Sequence, residues 1–424
     1  MSGFRALQHV GLAVLRSPAS RLGGLVRLGR GGAQAALGAY TQKRNCSFKS
    51  SDTVEFPKDG KQLTQVEMIK LNKNASEFFS QGNFMDAIDA WEAVAQSDQH
   101  AKDSPTLMSC LNNLACAYGE VGNNAKKLKL LQRSSAIVER VYGKEHPQYG
   151  MVLYNTACAK EELGCYEEMK TLLEASLEIH EKKFHHKHAK VGRVLLLLAS
   201  AYGHLGMYKQ QLETAQRAFD IIQKHCGAEH IQTTIAMLTL GRACGANDNP
   251  TQQLRLCQRA YEIQEAKLGT VNPQLALTLI DLATAYGANK EYYNQKECLE
   301  KAIELQQRAF GSKHVHLIDT YIALGDACAN LGEMDHQTHY YLEAYRLAKK
   351  RFEGKHIAIG AAATKAAYAY VLRGNFTKAR THLNEAAQII NASVTEEHAA
   401  AGELKRVTEI LQKEEQEARA EREK

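Results

Sequence analysis

One spacing, of 42 residues, organises most of this 424-residue chain. Histidine recurs at multiples of that spacing, with Asn272 in one place of the series, at positions His146, His188, His230, His314, His356 and His398. No insertion or deletion interrupts the register between the first and the last of them. A chain with such a period is an array of equivalent units, because each unit is too small to bury its hydrophobic faces alone and must stack on its neighbours.

Each unit contains two segments with helical character. The first carries a Leu-Ala-x-Ala-Tyr pattern, as in Leu114–Tyr118 and Leu198–Tyr202, and ends near a glycine that stops a helix by tolerating positive φ. The second carries a column of small residues, each three positions before an aliphatic one, at Ser134, Ser176, Ala218, Ala260, Ala302, Ala344 and Ala386. Because a small residue lets two antiparallel helices approach closely, the columns predict an all-α array of helix pairs.

The pattern resembles the tetratricopeptide repeat, in the 42-residue form of the kinesin light chain, whose units begin with a His-Pro turn. His146-Pro147 matches that turn and Asn272-Pro273 matches it in part. The resemblance covers about residues 66–416. It implies a right-handed superhelical solenoid of about eight antiparallel helix pairs, with a C-terminal capping helix that shields the last pair.

The domain boundaries follow from changes in composition. Residues 1–51 hold eight Lys and Arg and no Asp or Glu, which is typical of a transit peptide, and Arg44-Asn45-Cys46-Ser47 resembles a matrix-protease cleavage site. We therefore predict a disordered mitochondrial transit peptide over 1–50, a linker over 51–65, the repeat array over 66–397 and a charged capping helix and tail over 398–424. The predicted location is mitochondrial, in the matrix; a plastid, or a basic tail on a cytoplasmic protein, are the alternatives.

Several functional classes find little support. Beyond the leader the formal charge is close to zero, which disfavours nucleic-acid binding, and no apolar run reaches the length of a membrane span. The ten cysteines form no C-x-x-C motif, as expected in a reducing compartment. The recurring histidines are a whole repeat apart, too far to share a metal ion, and the run His185–His188 favours a solvated turn. We predict no catalytic, cofactor-binding or metal-binding residue, and no enzyme.

The resemblance also implies a binding surface. In this family the first helix of each pair lines a concave groove that holds peptides or partner helices. Transferred position by position, the partner-binding residues are Asn113, Asn155, Arg193, Leu196, Leu238, Arg242, Ile280, Asp281, Ile322 and Asp326. Asn113 and Asn155 match a groove asparagine whose amide can both donate to and accept from a peptide backbone.

The favoured hypothesis is a non-catalytic mitochondrial scaffold, or a subunit or assembly factor of a larger complex. Its partners would be proteins, bound as a peptide or helix in the groove or within a multi-subunit assembly, with no small-molecule substrate, cofactor, nucleic acid or membrane span. One alternative is a cytosolic cargo adaptor like the kinesin light chain, although about 15 residues separate leader and array and leave no room for its coiled coil. The other is an organellar RNA-associated helical-repeat protein.

Overall fold

The computed structural model describes residues 64–80, 83–97, 105–121, 123–312, 314–352, 356–393 and 399–422. The predicted transit peptide and nearly all of the predicted linker lie outside these residues. Within them the chain forms seventeen α-helices and no strand. The all-α array of eight helix pairs with an added C-terminal helix is therefore confirmed.

The helices divide into two compact units, one ending at Gln264 and the other beginning at Glu265. The N-terminal unit contains α1 (Gln65–Ser80), α2 (Phe84–Ser97), α3 (Pro105–Glu120), α4 (Asn124–Tyr142), α5 (Pro147–Glu162), α6 (Tyr166–Phe184), α7 (Ala189–His204), α8 (Tyr208–Cys226), α9 (Ile231–Ala246) and most of α10 (Pro250–Leu268). The C-terminal unit contains α11 (Leu275–Ala288), α12 (Tyr292–Phe310), α13 (His316–Asn330), α14 (Met334–Arg351), α15 (Ile357–Leu372), α16 (Phe376–Ser393) and α17 (Ala399–Arg422).

The recurring histidines begin the first helix of the pairs. His146, His188, His230 and His356 are N-cap residues, and each Nδ1 accepts the backbone N–H two positions later. An aromatic ring four residues earlier stacks on three of them, as Phe352 does on His356 at 3.7 Å between centroids. The histidine thus satisfies a helix N–H that would otherwise lack a partner, and the predicted turn-forming role is what these four side chains perform.

The small-residue column lies in the core, as the spacing predicts. Ser134, Ser176, Ala218, Ala260, Ala302, Ala344 and Ala386 are each 0% exposed. Close approach is also visible at Gly192 of α7, where an added Cβ would stand 3.0–3.1 Å from the Ile221 and Ile222 side chains of α8. Helices pack at these positions because no larger side chain separates them.

The last helix closes the hydrophobic core of the C-terminal unit. Leu404, Val407 and Leu411 of α17 are buried in one cluster with residues of α15 and α16. They share a face because they are spaced at i, i+3 and i+7. The rest of α17 is rich in charged residues, which suits the solvent-facing end of an array. None of the described helices is both long and apolar enough to span a membrane.

Candidate binding surface

The first helices of successive pairs form a layer of their own within each unit. In the N-terminal unit α7 contacts both α5 and α9, although a second helix intervenes in the chain each time, and in the C-terminal unit α13 contacts α15 in the same way. The side chains of this layer are therefore brought together from different repeats. All ten residues predicted to bind partners belong to these first helices.

In the N-terminal unit the predicted residues differ in their access to solvent. Arg193 is exposed, and Asn113, Asn155, Leu196 and Arg242 are half-buried. The amide of Asn155 donates to Asn112 Oδ1 at 2.6 Å, so part of its hydrogen-bonding capacity joins α5 to α3. Leu238 is only 5% exposed and packs in the core, which leaves little of it for a partner to contact.

A small recess lies where α5, α6 and α7 meet, lined by Met151, Tyr154, His180, Lys190, Arg193 and Val194. The Arg193 guanidinium covers the Tyr154 ring at 5.6 Å, and the Lys190 ammonium lies 4.4 Å above the Phe184 ring. Burial lowers the pKa of His180, whose Nδ1–H donates to the Ser176 carbonyl at 2.7 Å, so the ring is neutral at pH 7. Two cations over an apolar floor suit an anionic side chain with an apolar stem.

A polar cluster next to the recess invites comparison with a hydrolase site. His204 stacks on Tyr166 at 4.2 Å, and Ser200 donates to Glu161 Oε1 at 3.3 Å. The Ser200 hydroxyl is thus bound to the carboxylate, whereas a nucleophilic serine donates to the histidine base. Burial and the nearby Arg242 lower the pKa of His204 to about 4. The cluster has the geometry of a structural network between α5 and α7.

In the C-terminal unit the predicted residues are less accessible than expected. Ile280 is 6% exposed, and Asp281 and Ile322 are half-buried. Asp326 is engaged inside the unit, because its Oδ1 accepts from Tyr341 Oη at 2.5 Å and from Lys365 Nζ at 2.9 Å. Its carboxylate is therefore committed to a contact between helices.

Lys365 is the centre of a charge network that sequence reasoning missed. Its ammonium also lies 3.4 Å from Glu403 of α17, and Glu403 binds Arg406 at 2.8 Å. Burial acts to lower the pKa of Lys365, but the carboxylates of Asp326 and Glu403 raise it above its ordinary value. The signal lay in the repeat register, which places Lys365 in the column of Asn113 and Asn155.

The described part of the chain contains no group of three or more His, Cys, Asp or Glu side chains placed to hold a metal ion. The nine described cysteines form no disulfide with one another, and several are buried in helices. The histidines of the run His185–His188 contact different groups: His186 Nδ1 lies 3.5 Å from the Glu181 carboxylate, whereas His188 caps α7.

Comparison with known proteins agrees with the fold. Tetratricopeptide-repeat family models match residues 107–148, 275–316 and 318–351. The apo form of RapI is 17% identical, covers 67% of this chain and 99% of its own length, and superposes with a TM-score of 0.54. A signal-transduction ATPase with a tetratricopeptide-repeat sensor, PH0952 from Pyrococcus horikoshii, is 17% identical to this chain. The match covers 80% of this chain and 48% of that protein's length, with a TM-score of 0.50.

A Podosopora anserina protein with nearly identical repeats of the kinesin light chain type is 25% identical to this chain. The match covers 49% of this chain and 99% of that one, with a TM-score of 0.41. No curated protein sequence matches the chain.

Proposed function

We propose that this chain, which carries tetratricopeptide repeats, is a non-catalytic mitochondrial scaffold that holds a partner protein on the first-helix layer of its N-terminal unit. Repeats of this kind serve protein–protein interaction. The observation that supports the finer proposal is the recess beside Arg193. It places two cations beside the apolar residues Met151, Tyr154 and Val194, which suits surface contact with an anionic side chain that has an apolar stem.

The mitochondrial part of the proposal is supported by the leader. Eight basic and no acidic residues in the first 51 match the composition of a transit peptide. A cytosolic adaptor of the kinesin light chain type is the second candidate, favoured by the 42-residue register and the His146-Pro147 turn. The RNA-associated alternative has no such observation in its favour and is not proposed.

Location separates the two candidates. The full chain, tagged at its C-terminus, should be found inside mitochondria and should be shorter than the 47.0 kDa precursor. A cytosolic, unshortened species would overturn the mitochondrial assignment. Cross-linking from the imported protein, followed by mass spectrometry, then identifies the partner.

The binding surface is tested on that partner. Arg193→Ala should weaken binding, whereas Arg255→Ala, at an exposed arginine on the second helix α10, should not. Leu196→Asp, at a half-buried position of α7, should weaken binding at every salt concentration, because apolar anchors govern dissociation and exposed charges govern mainly association. Equal binding by all three variants, with circular dichroism unchanged, would place the partner elsewhere on the chain.

A further inference from the structure

The turn between α6 and α7 departs from the equivalent turns of the other repeats. Its first residue, His185, has a φ of 66°, where four of the equivalent positions are glycines with φ between 76° and 90°, namely Gly143, Gly227, Gly269 and Gly311. This conformation is disfavoured for any residue with a Cβ. A histidine in the place of glycine keeps a side chain at a position where the fold favours none.

The turn is held in place from α8. The Arg217 guanidinium lies 3.5 Å from the His186 carbonyl oxygen, and His225 Nε2–H donates to the Lys187 carbonyl at 2.5 Å. The side chains of His185, His186 and Lys187 are exposed. The backbone is thus fixed while its basic side chains point outward, an arrangement that lowers the entropic cost of binding.

Positive charge is concentrated around this turn. Residues 182–225 hold eight Lys and Arg but two Asp and Glu. Nearby carboxylates are already in use, Glu145 and Glu178 by Lys182 and Glu181 by Arg217. Within the described residues, Lys183, Lys187 and Lys224 are exposed and none of them forms an ion pair with a carboxylate. Three unneutralised ammonium groups therefore share one end of the repeat.

We propose that this surface, the basic edge (Lys183, His185, His186, Lys187 and Lys224), is a second docking site and binds an acidic peptide segment of a partner protein. It goes beyond the proposed function because its residues lie on the turn between α6 and α7 and at the adjoining ends of α6 and α8, and none of them lines the recess. Clustered carboxylates supply the charge complementary to the three exposed ammonium groups, and the pinned backbone of the turn suits an extended peptide.

Two other polyanions fit less well. Single-stranded nucleic acid binds through stacking on free aromatic faces, but the Phe184 ring is covered by His188 at 4.8 Å and by the Lys190 ammonium. A membrane surface is held by cations together with inserted apolar side chains. Between residues 182 and 225 the only exposed large hydrophobic side chain is Tyr208, at the other end of α8.

The test is fluorescence anisotropy of the full chain with a short labelled peptide of alternating glutamate and glycine. The triple variant Lys183→Gln, Lys187→Gln, Lys224→Gln should bind about tenfold more weakly at low ionic strength, since three exposed contacts each contribute a modest amount. The difference should disappear at high salt, which screens exposed charges. The matched control is Lys129→Gln, Lys209→Gln, Arg255→Gln, which removes three exposed cations of the same unit and should bind like the wild type.

Equal weakening by both triple variants would mean that net charge alone acts, and would overturn the proposal. So would the absence of peptide binding by the wild type, or tighter edge-dependent binding of an RNA oligonucleotide or of vesicles containing an anionic phospholipid. Circular dichroism monitors folding, and Lys187→Gln alone should reproduce a part of the loss if the triple variant is unstable. The partner held at the recess should bind the triple edge variant as tightly as it binds the wild type, so failure of the edge and failure of the recess are told apart.

Discussion

Lys365 Nζ lies 2.9 Å from Asp326 Oδ1, across 39 residues of sequence. The Lys365 side chain is 12% exposed, and its ammonium is shared with Glu403 of the last helix. One nearly buried cation therefore joins α13, α15 and α17. The terminal helix is held by charge as well as by the apolar contacts of Leu404, Val407 and Leu411.

Replacement of this lysine should loosen the end of the array. Lys365→Met leaves the Asp326 and Glu403 carboxylates without their shared cation, and should lower the free energy of unfolding by about 3 kcal/mol. Hydrogen exchange should accelerate first in α17, because terminal elements open most readily. The control is Lys349→Met, at a lysine that is 53% exposed and 3.1 Å from Glu385, which should cost less than about 1 kcal/mol. Equal losses of stability in the Lys365→Met and Lys349→Met variants would show that the Lys365 contacts stabilise the fold no more than an exposed ion pair does.

A larger side chain at the small-residue column should strain the helix crossing. Ala302 is 0% exposed, so Ala302→Leu should lower stability by about 1–3 kcal/mol through overpacking. Glu304→Leu, two residues along α12 and exposed, should change it by less than about 0.5 kcal/mol. Thermal and urea denaturation measure both. A wild-type melting curve for Ala302→Leu would mean that the column does not set the distance between the helices.

Stability should fall in mild acid because His204 is buried in its neutral form. Burial, with Arg242 nearby, lowers the pKa of His204 from 6.5 to about 4, so the unfolded chain binds this proton more readily than the folded chain. Stability is therefore lost as the pH falls below 6.5, by about 2 kcal/mol at pH 5 for this one group. His204→Phe keeps a ring against Tyr166 without the titration. Urea titrations at pH 7 and pH 5 should show a smaller pH dependence in the variant; the same dependence in both would contradict the assignment.

The capping role of the recurring histidines can be tested at one turn. His188 Nδ1 accepts the Lys190 N–H at 3.1 Å and its ring stacks on Phe184. His188→Ala removes the cap and should cost about 1 kcal/mol, whereas His188→Asn should retain most of the stability because asparagine is a good N-cap. Denaturation of the two variants, compared at pH 7, decides this. If the asparagine variant were as unstable as the alanine variant, the contribution of His188 to stability would come from stacking on Phe184 and not from the cap.

The helix pairs could be predicted from the sequence because the 42-residue columns report the spacing of buried residues directly. The solvent exposure of individual groove residues could not be predicted in this way. Leu238 and Ile280 stand in the predicted groove register, yet neighbouring helices bury them to 5% and 6% exposure. Periodicity identifies the face of a helix but not how far the next helix covers it.

The partners of the charged side chains were harder to predict than the burial of the apolar ones. Asp326 was predicted to face a partner, but Lys365 and Tyr341 bind it, and these contacts depend on side-chain reach between repeats, which a single sequence does not specify. Conversely, the run His185–His188 was interpreted as a solvated turn. The positive φ of His185 and the absence of an ion pair at Lys187 within the described residues are properties of the three-dimensional structure, which the residue types alone do not specify.

The repeated histidine cap gives the molecule a set of built-in probes. Each capping imidazole must leave Nδ1 unprotonated and carry its hydrogen on Nε2, a tautomer that nitrogen NMR distinguishes from the other. His146, His188, His230 and His356 each sit at a different turn, so four resonances report separately on four places along the chain. A partner that orders or opens one turn would shift one signal and leave the others, which would map its footprint without an attached probe group.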